Sequence, residues 1–218
     1  MTLSPLTDVL RVAREKKVFV IGFVVQGWED AKAFVDAASE TNSNIILQAG
    51  PAFRKNMHLE AIARMFETLA KGTTVKVVAH LDHGNDFETC KRALDAGFTS
   101  VMFDGSRLPF QDNINETTKV CDIAKRYGAS VEAELGFVGY ENKDSNKFTC
   151  PEEVGIMTEQ VPIDALAISI GNTHLQSSHL AKIDYKLLAE IRAASNISLV
   201  IHGGSGVCPD DRIKMASK

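Results

Sequence analysis

Short apolar runs alternate with longer amphipathic stretches along almost the whole chain, and this alternation constrains the fold more than any other feature. The apolar runs cover residues 18–23, 44–48, 75–81, 100–103, 130–135, 165–170 and 198–201. Each is too short for a helix and nearly continuous in apolar character, the pattern of strands buried on both faces. Helical patterns fill the intervals at 28–41, 59–71, 87–96, 114–127, 152–160 and 185–194, and a further one at 6–16 precedes the first strand. Strand starts recur about every 30 residues, the size of one βα unit. Seven such units fit either an open doubly wound sheet or a (β/α)8 TIM barrel. Even spacing and polar residues at several strand ends favour the barrel, whose sites lie at those ends. The segment after the first strand, GFVVQGWED, lacks the Gly-rich fingerprint of a doubly wound nucleotide fold. No repeat or Pro/Gly-rich linker interrupts the pattern, so residues 1–218 read as a single α/β domain. Seven strands are counted, so the eighth strand and the C-terminal helices of a barrel are missing from this sequence. An open barrel would leave the first and seventh strands with unpaired edges, unless the eighth strand is supplied in some other way.

The composition, 44% hydrophobic and 24% charged over 218 residues, supports a real core and excludes disorder. A net charge of −4 leaves no broad basic footprint for nucleic acid. No apolar run approaches the roughly 18 residues of a membrane helix. The charged N-terminus, MTLSPLTDVLRVAREKK, contains no signal core. Cys90, Cys121, Cys150 and Cys208 show no C-x-x-C spacing, so neither a disulfide framework nor a zinc knuckle is expected. The expectation is a soluble protein of the reducing cytoplasm.

The barrel reading gathers polar residues on one rim. Strand three ends in AHLDHG, with Asp82 and His83 at its end; strand six leads to His174 and strand seven to His202. A lone histidine at a strand end is usually a packing or capping residue. Three at equivalent ends ask for one shared explanation, and three neutral imidazoles can hold a borderline metal with a coordination position left for substrate. Zinc is the default, though cobalt or iron tolerates the same ligands. His80 reads as a strand residue, and His58 and His179 as surface or helix-start positions. Strand five, SVEAELG, places Glu132 and Glu134 on one face. Carboxylates there need a ligated metal or an ion pair, and a Lys or Arg partner is the alternative for Glu132. Strand four ends in FDGS, with Asp104 and Ser106 at the same mouth. Gly203, Gly204, Ser205 and Gly206 expose backbone N–H groups before a helix start, a suitable phosphate cradle and equally an ordinary strand-to-helix turn.

In this order HLDHG, SVMFDGSRLPFQDNI, SVEAELG, DALAISIGNTH and LVIHGGSG resemble the class II ketose-bisphosphate aldolases, including fructose- and tagatose-bisphosphate aldolases. The resemblance implies that His83, His174 and His202 bind one catalytic zinc and that Asp82 is the acid/base at the substrate's C4 hydroxyl. It implies further that Asp104 and Glu134 lie near an alternative metal position, and that Gly203, Gly204 and Ser205 hold the phosphate of dihydroxyacetone phosphate. The implied reaction is reversible retro-aldol cleavage of a ketose 1-phosphate or 1,6-bisphosphate to dihydroxyacetone phosphate and an aldehyde. The implied assembly is a homodimer or homotetramer.

The sequence departs from the family pattern in three ways. Where the family carries GGxED in a loop, this chain has Gly139-Tyr140-Glu141-Asn142-Lys143-Asp144. Asn142 stands at the proton-transferring carboxylate of the family, and an amide cannot exchange a proton near neutral pH, which leaves that role to the adjacent Glu141 or to another group. Leu175 stands where a glycine normally follows the second zinc histidine. The eighth strand, which brings phosphate contacts in the family, is the third. Residues 136–145 read as a mobile lid, with a plain solvated connector as the bland alternative. Two other functions compete with the lyase: a zinc-dependent sugar-phosphate isomerase or epimerase, and a sugar-phosphate-binding homologue without turnover.

Overall fold

The computed structural model describes residues 3–140, 146–177 and 181–216. Its strands take the order β1-β2-β3-β4-β5-β6-β7, the (β/α)8-barrel order with seven strands among the described residues. The chain divides into two compact units.

The first unit holds residues 1–104 and 119–131. It begins with α1 (Leu6–Lys16), whose buried Leu6, Val9 and Ala13 form one stripe. There follow β1 (Ile21–Val24), α2 (Trp28–Glu40), β2 (Ile45–Ala49), α3 (Pro51–Asn56), α4 (Leu59–Lys71), β3 (Val77–Gly84), α5 (Phe87–Ala96) and β4 (Ser100–Phe103). The strands run parallel, with Ile21 opposite Ile45, Ile45 opposite Val77 and His80 opposite Ser100. Leu47, Val77, Leu81 and Val101 of the strands are buried, as are Ile62 and Phe66 of α4, which supplies the widest apolar face. Asp86 caps α5 by accepting from Thr89 N at 2.6 Å, and Gly97, at φ 104°, ends that helix.

Three expectations change in this unit. β1 is not buried on both faces: Ile21 and Val24 are about half exposed. The stretch between β2 and α4, unassigned from sequence, forms α3, with Pro51 in its first turn. β3 runs on to Gly84 because a register shift between Leu81 and Gly84 lets the strand resume after Asp82 and His83.

The second unit holds residues 105–118 and 132–218. β5 (Ser130–Leu135) enters it at Glu132 and pairs in parallel with β6 (Ala165–Ile168), which pairs with β7 (Ser198–Val200). α7 (Pro151–Gln160) packs on α8 (Tyr185–Ala194), burying Val154, Met157, Leu188 and Ile191. A 3-10 turn at Gly204–Gly206 leads to α9 (Pro209–Ala216). α6 (Phe110–Tyr127) contributes residues to both units. β6 stops two residues before the sequence-predicted end, and Ile170 N donates to Asn172 Oδ1 at 2.9 Å in place of a ladder carbonyl. No helix among the described residues is long and apolar enough to cross a membrane.

Candidate active site

In the first unit, the end of β3 carries the chemistry. Asp82 and His83 sit in the register shift between β3 and β4, and His83 adopts φ 52°, a left-handed conformation uncommon for a side chain with a Cβ. Both are buried, at 5% and 9% exposure. His83 Nδ1 lies 2.7 Å from Asp104 Oδ2. A carboxylate only accepts, so Nδ1 carries the proton and Nε2 keeps its lone pair. Asp104 is therefore the group that orients His83.

Arg54 of α3 carried no sequence signal beyond Pro51, which marks a helix start. Its guanidinium donates to three main-chain carbonyls: Ala49 O at 2.6 Å, Asp82 O at 2.5 Å and His83 O at 3.0 Å. Burial lowers the Arg54 pKa from its ordinary value, and the negative charge of Asp82 opposes that shift.

The second unit brings two more histidines together. His174 lies six residues beyond the end of β6, in a loop whose main chain is held by Gly139 O, which accepts from His174 N at 2.9 Å. His174 Nδ1 lies 3.1 Å from Val138 O and His202 Nε2 lies 3.0 Å from Glu132 Oε1. Both partners are acceptors, so these two nitrogens donate and the lone pairs reside on His174 Nε2 and His202 Nδ1. Those two atoms lie 3.4 Å apart. Facing lone pairs repel unless a proton or a cation stands between them. For two imidazoles on a tetrahedral metal with bonds of about 2.0–2.1 Å, the expected N–N edge is roughly 3.3–3.4 Å. The donor pair therefore fits a borderline divalent ion. Glu132, for which sequence offered a Lys or Arg partner, meets His202 instead, the carboxylate–histidine pairing common behind metal ligands.

Asn172, fully buried and unnoticed in the sequence, ties this region together. Its Nδ2 donates to Ile168 O at 3.2 Å and His202 O at 2.9 Å, linking the chain beyond β6 to the chain beyond β7. Tyr140 stacks on His174 with ring centroids 4.9 Å apart. Glu134 is buried, and its Oε1 accepts from Val138 N at 3.2 Å. Gly203 has φ 65°, and a Cβ there would lie 2.1 Å from Thr173 O, so this position requires glycine for close packing. Gly204 has open space around it, and Ser205 is exposed. Leu175 holds φ 52° while 79% exposed. Glu141, Asn142, His179 and half of the sequence-predicted lid (141–145) lie outside the described residues. The described flanks of that segment are tied by Phe137 and Lys147, which pair main chain to main chain, and by Gly139 N donating to Asn146 Oδ1 at 2.7 Å.

Comparison with known proteins finds relatives over nearly the whole chain. The sequence model of a family described as fructose-bisphosphate aldolase class-II matches residues 4–218. A fructose-bisphosphate aldolase of Staphylococcus aureus (strain Mu50) is 36% identical over 218 residues, 97% of this chain and 76% of that protein. A probable fructose-bisphosphate aldolase of Bacillus subtilis (strain 168) is 36% identical over 224 residues, covering all of this chain and 79% of the relative. Among solved structures, the YdjI aldolase of Escherichia coli K12 superposes with a TM-score of 0.88 at 31% identity, over 99% of this chain and 78% of that one. The fructose-bisphosphate aldolase of Campylobacter jejuni, at 23% identity and TM-score 0.79, covers 99% of this chain and 74% of its own and shares the fold.

Proposed function

The chain belongs to the class II fructose-bisphosphate aldolase family, and from that premise we propose that it is a zinc-dependent aldolase acting on a ketose 1-phosphate or 1,6-bisphosphate. The observation that carries the reading is the His174–His202 pair, whose Nε2 and Nδ1 atoms face each other at 3.4 Å. His83 is the third ligand of the proposal, as the family resemblance implies, and imidazoles are donors suited to zinc. Asp104 and Glu134 would serve a second metal position, again as the resemblance implies.

His83, His174 and His202 would hold the zinc, which when bound would supply electron withdrawal at the ketose carbonyl, so no Schiff-base lysine is needed. Asp82 removes the proton of the C4 hydroxyl, and the C4 oxygen becomes the aldehyde oxygen as the C3–C4 bond breaks. The electron pair of that bond stays on C3, and a proton delivered there completes dihydroxyacetone phosphate. Glu141 is the proposed carrier of that proton. Backbone N–H groups of Gly203, Gly204 and Ser205 are the proposed phosphate cradle, which also orients the substrate. The reading includes a cytoplasmic location and a homodimer or homotetramer, which native mass measurement tests.

Metal analysis combined with a coupled assay for dihydroxyacetone phosphate across ketose 1-phosphates tests the activity. About one zinc per chain with triose phosphate release is the expected result. Zinc with isomer formation and no triose release would favour the isomerase or epimerase. Ligand binding without turnover would favour a non-catalytic homologue, a reading that the bulky Leu175 beside His174 supports. A chain that retains no metal and cleaves no ketose phosphate overturns the proposal.

A further inference from the structure

We infer that Arg54 is a positioning residue of the metal site, fixing the left-handed Asp82–His83 turn by holding three carbonyls with one guanidinium. The inference rests on the zinc reading above and extends it to a residue that makes no contact with metal or substrate in that reading.

The last matched pair between β2 and β3 is Ala49 and Leu81. Beyond it the β3–β4 register shifts, so the main chain of Asp82 and His83 leaves the regular ladder. Carbonyls that leave a ladder inside a protein need other donors. Arg54 supplies them: Nη1 donates to Ala49 O at 2.6 Å and Asp82 O at 2.5 Å, and Nη2 donates to His83 O at 3.0 Å. One planar fork thus joins the end of β2 to both residues of the turn, a task for which arginine is suited and lysine is not. His83 has φ 52°, a conformation that costs a residue with a Cβ, so carbonyl partners that hold it there offset strain. Its imidazole is fixed separately by Asp104, 2.7 Å from Nδ1. The side chain is therefore oriented by one partner and its backbone by another, and both must hold for Nε2 to stay aimed. α3 delivers Arg54 to this point: Gly50, the N-cap, leads from β2 into the helix, with Pro51 in its first turn. The neighbouring Lys55 is exposed and provides a control on the same short helix.

The test is zinc affinity of the full chain, measured by competition with a chromophoric chelator, alongside thermal melting of the metal-free protein. The variants are Arg54→Ala, Arg54→Lys and Lys55→Met. Groups that orient a metal ligand typically change metal affinity by about 10- to 100-fold when removed. Arg54→Ala should lose affinity in that range, and Arg54→Lys should fall between it and wild type. Methylguanidine, which can refill the vacated space, should restore part of the affinity of Arg54→Ala, and Lys55→Met should match wild type. Arg54→Ala within twofold of wild type overturns the inference, as does a loss that neither methylguanidine nor the lysine variant recovers. Failure of both Arg54 variants to fold assigns the residue to the fold alone and also overturns it. A wild-type chain that binds no zinc is a separate outcome, which removes the parent reading itself.

Discussion

Leu175 carries backbone strain with little packing to hold it, at φ 52° and 79% exposed. A left-handed conformation costs a residue with a Cβ about 1–2 kcal/mol, and glycine gives back about half of that through its greater unfolded-state freedom. Leu175→Gly should therefore stabilise the protein by about 0.5–1 kcal/mol, seen as a melting temperature higher by roughly 1–4 °C for a chain of this size. A lower melting temperature would show that the leucine is held by a contact. Asp82 tests the chemistry: Asp82→Ala should cut cleavage by about a hundred- to ten-thousand-fold while zinc content stays near normal. Activity within a few-fold of wild type would remove it from the mechanism. Cys90 tests the interior. Burial, reinforced by the charge of Asp86, pushes its thiol up to about 12, while Arg54 pulls slightly the other way. The unfolded thiol loses its proton near pH 9 and the folded one only near pH 12, so this group's contribution to stability is complete below pH 9 and falls as pH rises through that window. Denaturant midpoints measured from pH 8 to 11 should drop less steeply in Cys90→Ala than in wild type.

At the scale of elements, the end of β3 depends on two small features that sequence showed only as a motif. Gly84 is packed so closely that a Cβ would lie 2.7 Å from both Cys90 Sγ and Met102 O. Met102 O belongs to the β4 backbone and cannot move aside without disturbing the strand. Gly84→Ala should cost about 1–3 kcal/mol in urea unfolding, as overpacking in a close-packed interior does. Asp86→Ala removes a helix cap and should cost about 1 kcal/mol. The two should differ in zinc affinity: Gly84 adjoins His83, so its variant weakens metal binding, whereas the cap variant leaves it near wild type. Equal effects on zinc would place both positions in global stability alone.

For the molecule as a whole, the exposed β1 region is the feature with the clearest consequence. Val18, Phe19, Ile21 and Val24 are each about half exposed. Among the described residues β1 stands at one end of the strand order, and an apolar strand in that place templates association with other chains. The double variant Ile21→Lys with Val24→Lys should reduce self-association of the 218-residue chain in sedimentation velocity, and an unchanged distribution would exonerate the edge. Barrel order was legible in the sequence because apolar runs and amphipathic stretches of fixed length leave few topologies, and parallel strands joined by helices take one of them. The histidines of HLDHG, GNTH and VIHGG were legible as candidates because the ends of parallel strands share one side of a sheet. Arg54, Asn172 and the Glu132–His202 pair were not. Arg54 reaches carbonyls 28 and 29 residues away, and Glu132 meets a histidine 70 residues away. Such partnerships leave no local period. The sequence alone determined which residue types stand at the strand ends, because hydrophobic patterning and turn chemistry act locally. Only the tertiary structure decided which ring nitrogen keeps its lone pair and which backbone turns left-handed, because hydrogen bonds between distant elements set both.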